Sequence, residues 1–123
     1  MIYKTKTFQS LFKRSQITDK DLISACREMD KGLIDADLGG NLYKKRIAIP
    51  GKGKSSGYRT LVGAVKGKKY FFLYIFAKSD RSNINKKESL ALRELANEFI
   101  QFDEDTISEL LENGELIGVR DDE

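Results

Sequence analysis

The segment from Leu42 to Arg81 carries eleven Lys or Arg residues against one acid, Asp80, a local balance of +10. The residues after it, Ser82 to Glu123, reverse the sign, with four basic and twelve acidic side chains. The formal net charge of +3 conceals this polarity. A basic surface of this density attracts phosphate. Its cations differ in setting. Arg46 and Arg59 lie within apolar, strand-like runs, where a guanidinium has a use beyond solubility. Lys66, Lys68 and Lys69 fall in an expected hairpin turn and read as solvated edge charges that discourage aggregation. Lys52 and Lys54 occupy a Gly-rich loop, Gly51-Lys52-Gly53-Lys54-Ser55-Ser56-Gly57, suited to a polynucleotide backbone. That loop is not a P-loop: the spacing before Gly53-Lys54-Ser55 is wrong, and Tyr58-Arg59 leads into a strand rather than a helix. Tyr58, between Gly57 and Arg59, is the candidate for stacking on a base, whereas Tyr70 and Tyr74 read as filling for a central strand.

Histidine is absent, which removes the commonest general base, the usual zinc sites and every histidine-dependent triad. Proton transfer in such a protein falls to Lys, Arg, Tyr or carboxylate. The single cysteine, Cys26, excludes an internal disulfide and any multi-cysteine metal site, and it lies on the apolar side of an expected helix.

These residues need a sheet to hold them. Strands are expected over about Leu42–Ile49, Arg59–Val65 and Tyr70–Lys78, with Pro50 closing the first and a hairpin joining the other two. Alternation puts Lys44, Arg46 and Ala48 on one face of the first strand, with Lys45, Ile47 and Ile49 on the other. In the second strand Arg59 shares its face with Leu61, Gly63 and Val65, looking into a concave site at the sheet end. The third, Tyr70-Phe71-Phe72-Leu73-Tyr74-Ile75-Phe76-Ala77, is apolar on both faces and should be a central strand covered by helix. Ahead of the meander, residues 1–6 suggest a short strand, Phe8, Leu11 and Phe12 a short helix, and Thr18 with Asp21 the start of a second helix ending near Gly32. Asp35 to Asn41 reads as a loop. Behind the meander, Asn85-Lys86-Lys87-Glu88 is a capping box for a third helix, and a fourth begins near Asp103 or Asp105 and stops at Asn113-Gly114. The acidic end reads as a solvated helix face and a frayed tail; the alternative is that Glu109, Glu112, Glu115, Asp121, Asp122 and Glu123 fold back over the basic face. The pattern is one α+β domain, residues 1–123, with a single antiparallel sheet and helices packed on it. No apolar run approaches the ~20 residues of a membrane span, and the N-terminus lacks a signal-peptide pattern, so a cytoplasmic protein is expected.

Taken in order, Gly39-Gly40-Asn41-Leu42-Tyr43-Lys44-Lys45-Arg46, Gly51-Lys52-Gly53-Lys54, Ser55-Ser56-Gly57-Tyr58-Arg59 and Phe76-Ala77-Lys78-Ser79-Asp80-Arg81 resemble the RelE superfamily of toxin–antitoxin toxins, closest to its HigB-like branch. The resemblance implies a RelE-like, microbial-RNase-like fold and a ribosome-dependent endoribonuclease that cuts mRNA by attack of a ribose 2′-oxygen on the adjacent phosphate. It implies no cofactor. It assigns Arg59 to the scissile phosphate, Lys44 and Arg46 to the alternating basic pair of the preceding strand, and Lys78 to the leaving oxygen. Lys44 is the better base of that pair, because arginine stays protonated. Ser79 and Asn85 stand where some RelE toxins carry an arginine and a tyrosine, and Arg81 is the candidate substitute for the first. The implied partners are the ribosome, mRNA and a cognate antitoxin of the helix-turn-helix, HigA-like kind, with DNA contacted only through that antitoxin. The competing readings are a non-catalytic ParE-like toxin acting on gyrase and a plain RNA-binding module.

Overall fold

A computed structural model of the chain describes residues 1–53 and 56–120. A short strand, β1 (Ile2–Thr5), precedes two helices, α1 (Lys6–Phe12) and α2 (Asp19–Asp30). Four strands follow: β2 (Ala36–Gly39), β3 (Leu42–Ile47), β4 (Tyr58–Val65) and β5 (Lys69–Ala77). The chain then forms α3 (Lys86–Gln101), α4 (Glu104–Glu112) and a last strand, β6 (Leu116–Val119). The strands make one sheet in the order β2-β3-β4-β5-β1-β6.

Local signals place the helix starts where the sequence puts them. Asn85 Oδ1 accepts from Glu88 N–H at 2.8 Å while Glu88 Oε1 accepts from Asn85 N–H at 2.9 Å, the reciprocal pair of a capping box. Asp103 Oδ1 accepts from Thr106 N–H at 2.8 Å, and Thr18 N–H donates to Asp21 Oδ2 at 2.8 Å. Each side-chain cap contributes about 1 kcal/mol by occupying a helix-end donor that would otherwise lack a partner.

The α+β architecture with a single sheet agrees with expectation, but three features of the sheet do not. First, the sheet is mixed: β1 runs parallel to β5, pairing Tyr3 with Phe71, and the two rings stack at 5.1 Å. Nothing in four residues of alternation specifies a partner that far away in sequence. Second, the expected loop at Asp35–Asn41 contains β2, which turns into β3 through Gly39, Gly40 and Asn41, all at positive φ. Asp and Gly have low strand propensity, so this short edge strand is stabilised by pairing rather than by composition. Third, the supposed tail includes β6, which pairs antiparallel with β1, and Lys6 N–H donates to Glu115 O at 3.0 Å. This holds the chain through Val119 at the opposite edge of the sheet from β3, so Glu109, Glu112 and Glu115 do not fold back over the basic strands; Asp121, Asp122 and Glu123 lie outside the described residues.

Both sheet faces are buried, as the doubly apolar β5 requires. One face packs Val62, Phe72 and Ile75 against Phe8, Phe12, Leu22 and Met29 of α1 and α2. The other packs Leu42, Leu61, Phe71 and Leu73 against Ala96, Leu92, Leu95 and Phe99 of α3, with Ile107 and Leu110 of α4. α3 can sit this close because residue 63 is glycine. A Cβ there would lie 2.9 Å from Ala96 Cβ and 3.0 Å from its Cα. Gly63→Ala is therefore expected to cost about 1–3 kcal/mol, seen as a lower Tm on thermal denaturation. Adding Ala96→Gly should cost less in that background than alone; strict additivity would contradict this packing account.

Candidate active site

β3 and β4 pair antiparallel in a register that sets Arg46 directly opposite Arg59 and Lys44 opposite Leu61. On its other side Arg59 faces Phe76 of β5. Directly opposed residues hold their Cβ atoms about 5 Å apart, so the two guanidinium stems leave the same face side by side. Lys44 leaves that face one alternation earlier along β3. Lys78 follows β5 in an exposed turn, where its N–H donates to Gly57 O at 3.1 Å, which keeps it beside the start of β4. Lys44, Arg46 and Arg59 thus share one end of one sheet face, with Lys78 in the turn just beyond it. They differ in depth: Arg59 is only 6% exposed, Arg46 and Lys44 are partly exposed, and Lys78 is exposed.

That depth has an electrostatic consequence. Burial pushes the Arg59 guanidinium below its ordinary pKa, the Arg46 charge pushes it further, and Asp35 partly opposes both. An arginine in such a setting still stays protonated near neutrality, so it acts as a fixed cation. Two like charges directly opposite in a sheet repel, and a buried, poorly hydrated cation interacts strongly with any anion that reaches it. The pair concentrates positive charge at this end of the sheet.

Asp35 is a site residue that sequence reading misses. Its Oδ2 accepts from Arg46 N–H at 2.6 Å and its Oδ1 accepts from Arg46 Nε–H at 2.8 Å. It stands just before β2, and its own N–H donates to Lys44 O at 3.0 Å. The contact depends on β2 lying beside β3, which the loop expectation conceals.

The residues expected to bind RNA or ribosome are dispersed. Lys52 is exposed in the β3–β4 loop, with its N–H on Ile49 O at 2.8 Å, and Lys54 lies outside the described residues. Tyr58 does not share the Arg59 face: it turns to the α1–α2 side, where its hydroxyl accepts from Gln16 N–H at 3.1 Å and its ring packs on the core. Alternation carries this information, since Tyr58 immediately precedes Arg59. Arg81 is engaged in holding the loop between β5 and α3. Its terminal nitrogens donate to both Glu88 oxygens at 2.9 and 2.5 Å, its Nε–H donates to Asn83 O at 3.0 Å, and it lies over the Phe76 ring. Lys45 points to the other face, where it meets Glu28 at 2.6 Å and Leu33 O at 2.9 Å.

The Arg81 contact gives a pH signature. The Arg81 hydrogen bond, reinforced by the Asn85 N–H, lowers the Glu88 carboxyl from 4.5 to about 2. A carboxylate whose folded pKa is depressed adds stability above its unfolded pKa, and loses it as pH falls through the folded value. Order in the first turn of α3, followed by NMR, should therefore survive at pH 4.5 and decline as pH approaches about 2. The same titration step should be missing in Glu88→Gln. A wild-type transition centred near 4.5 would contradict the clamp.

A single mixed sheet, covered on both faces by helices and carrying paired arginines at the end of its β3–β4 hairpin, defines an α+β protein with a cationic candidate site. Comparison with protein-family models gives a match over residues 1–119 to the RelE toxin of the RelE/RelB toxin–antitoxin system. The chain belongs to the RelE toxin family; it is a toxin-type member of a toxin–antitoxin system, and its partner is an antitoxin. A search of curated proteins gives no match. Among the described residues, no helix is long and apolar enough to cross a membrane.

Proposed function

We propose that the chain is a ribosome-dependent endoribonuclease that arrests translation by cutting mRNA. The observation that carries this reading is the opposed pair Arg46 and Arg59, one of them buried, with Lys44 on the same face and Lys78 in the adjacent turn. In the proposed reaction the guanidinium groups of Arg59 and Arg46 hold the non-bridging oxygens of the scissile phosphate. Their charge favours the phosphorane-like transition state over the ground state, an electrostatic term that often dominates. Since arginine does not release a proton near neutrality, proton transfer falls to lysine. Lys44 takes the proton of the 2′-hydroxyl. The 2′-oxygen attacks phosphorus, the bond to the 5′-oxygen breaks, and Lys78 gives that oxygen a proton. The products are a 2′,3′-cyclic phosphate and a 5′-hydroxyl.

Without histidine the site relies on orientation, which a ribosome supplies by presenting mRNA in one conformation. Lys52 and Lys54 in the β3–β4 loop are proposed to contact ribosomal or messenger phosphate. The antitoxin is proposed to be of the helix-turn-helix, HigA-like kind, through which any DNA contact is made, and the setting is the cytoplasm, where ribosomes are.

Purified protein added to a reconstituted translation reaction should cut mRNA within the translated region and leave the same RNA intact without ribosomes. Arrest with uncut mRNA and lost gyrase supercoiling would favour the ParE-like alternative. Salt-sensitive RNA binding without cleavage in either setting would reduce the protein to an RNA-binding module.

A further inference from the structure

We infer that Asp35 is a positioning residue for this site: its carboxylate holds the Arg46 guanidinium beside Arg59, against the repulsion between the two cations. The inference rests on the cleavage reading above. Two bonds fix the carboxylate to β3, one to Arg46 N–H at 2.6 Å and one to Arg46 Nε–H at 2.8 Å. The Asp35 backbone is fixed as well, its N–H donating to Lys44 O at 3.0 Å. The acceptor is thus anchored by strand backbone rather than by another mobile side chain. A bond at Nε sets the plane of the guanidinium fork without itself occupying the terminal amino groups, which are the ones suited to bidentate phosphate contact.

A partly exposed ion pair adds little to stability, so the Asp35–Arg46 contact is poorly explained as a structural device alone. The part of Asp35 that serves the fold is its bond to the β3 backbone, and an asparagine side-chain oxygen can keep that bond. What asparagine loses is the second acceptor, because its amino group cannot accept from Arg46 Nε–H, together with the charge. Without them, Arg46 is no longer held next to Arg59 and can swing towards solvent. The site also becomes more positive. The first change slows cleavage; the second strengthens non-specific RNA binding. A fold residue would not separate the two in this way, because unfolding weakens both.

The test compares wild type with Asp35→Asn, and each with its Arg46→Ala counterpart. Single-turnover cleavage of ribosome-bound mRNA should fall about tenfold to a hundredfold in Asp35→Asn. Affinity for a single-stranded RNA oligonucleotide at low salt should be unchanged or tighter, and Tm should match wild type. In the Arg46→Ala background the same substitution should cause little further loss. The ¹⁵N resonance of Arg46 Nε–H, protected in wild type, should broaden or exchange rapidly in Asp35→Asn. Unchanged cleavage with a protected Arg46 resonance would overturn the inference, as would a joint fall of cleavage, RNA affinity and Tm. If wild type cuts no mRNA, the nuclease reading fails. Positioning then stands or falls on the Arg46 resonance and the RNA affinity, which do not need catalysis.

Discussion

Arg59→Met is expected to reduce mRNA cleavage about 10²–10³-fold while leaving Tm no lower than wild type. The two halves of this result have different causes. Removing the guanidinium removes a preorganised cation from the phosphate, and losses of that size follow from deleting one such group. Stability responds otherwise because Arg59 is 6% exposed, faces Arg46 across the strand pair and has its pKa lowered by burial. Methionine fills comparable space between Leu61 and Phe76 without a charge to desolvate or repel. Relief of the desolvation and of the Arg46 repulsion offsets the lost attraction to Asp35, so Tm is expected to hold. Cleavage rates on programmed ribosomes and a thermal melt give both numbers. Retained cleavage would remove Arg59 from the site, and a fall of several degrees in Tm would make it a structural residue.

Gly57→Ala is expected to damage fold and site together. A Cβ at residue 57 would lie 2.2 Å from Ile47 O and 2.9 Å from Ala48 Cα, both backbone atoms that cannot rotate away. The mouth of the β3–β4 hairpin must open to admit it. Arg46 immediately precedes Ile47, Arg59 lies two residues beyond Gly57, and Gly57 O accepts the Lys78 N–H at 3.1 Å. One methyl group therefore displaces three of the four proposed site residues. The expected cost is about 3 kcal/mol, with Tm lower by about 10 °C. Protein that remains folded below this Tm should still cleave at least about tenfold more slowly, because sub-ångström placement governs such sites. A wild-type melting curve would show that the hairpin accommodates the methyl and that the close approach is not a constraint.

Features that depend on neighbours in sequence were legible. Asn85 and Glu88 announce the start of α3, and Asp103 that of α4, because a cap needs only residues three apart. Period-two alternation put Lys44 and Arg46 on one face of their strand, and only the β3–β4 register places Arg59 on that same face, directly opposite Arg46. Features set by distant pairing were not legible. β1 finds β5, β6 finds β1, and β2 exists because β3 lies beside it. Asp35 follows from the last of these, since its role as Arg46's acceptor appears only once β2 and β3 are paired. Arg81 illustrates a different limit. Its partner Glu88 was already identified as a capping residue, but a carboxylate can serve the helix end and an arginine seven residues earlier at the same time.

The central claim is that this cationic end of the sheet cuts mRNA through a 2′-oxygen attack. The most direct measurement is the chemistry of the mRNA ends produced when purified protein is added to translating ribosomes. The account requires 2′,3′-cyclic phosphate and 5′-hydroxyl ends at discrete positions within translated codons, with their yield lost in Arg59→Met. Translation arrest with full-length mRNA, or cut ends carrying a 3′-hydroxyl and 5′-phosphate, would contradict it.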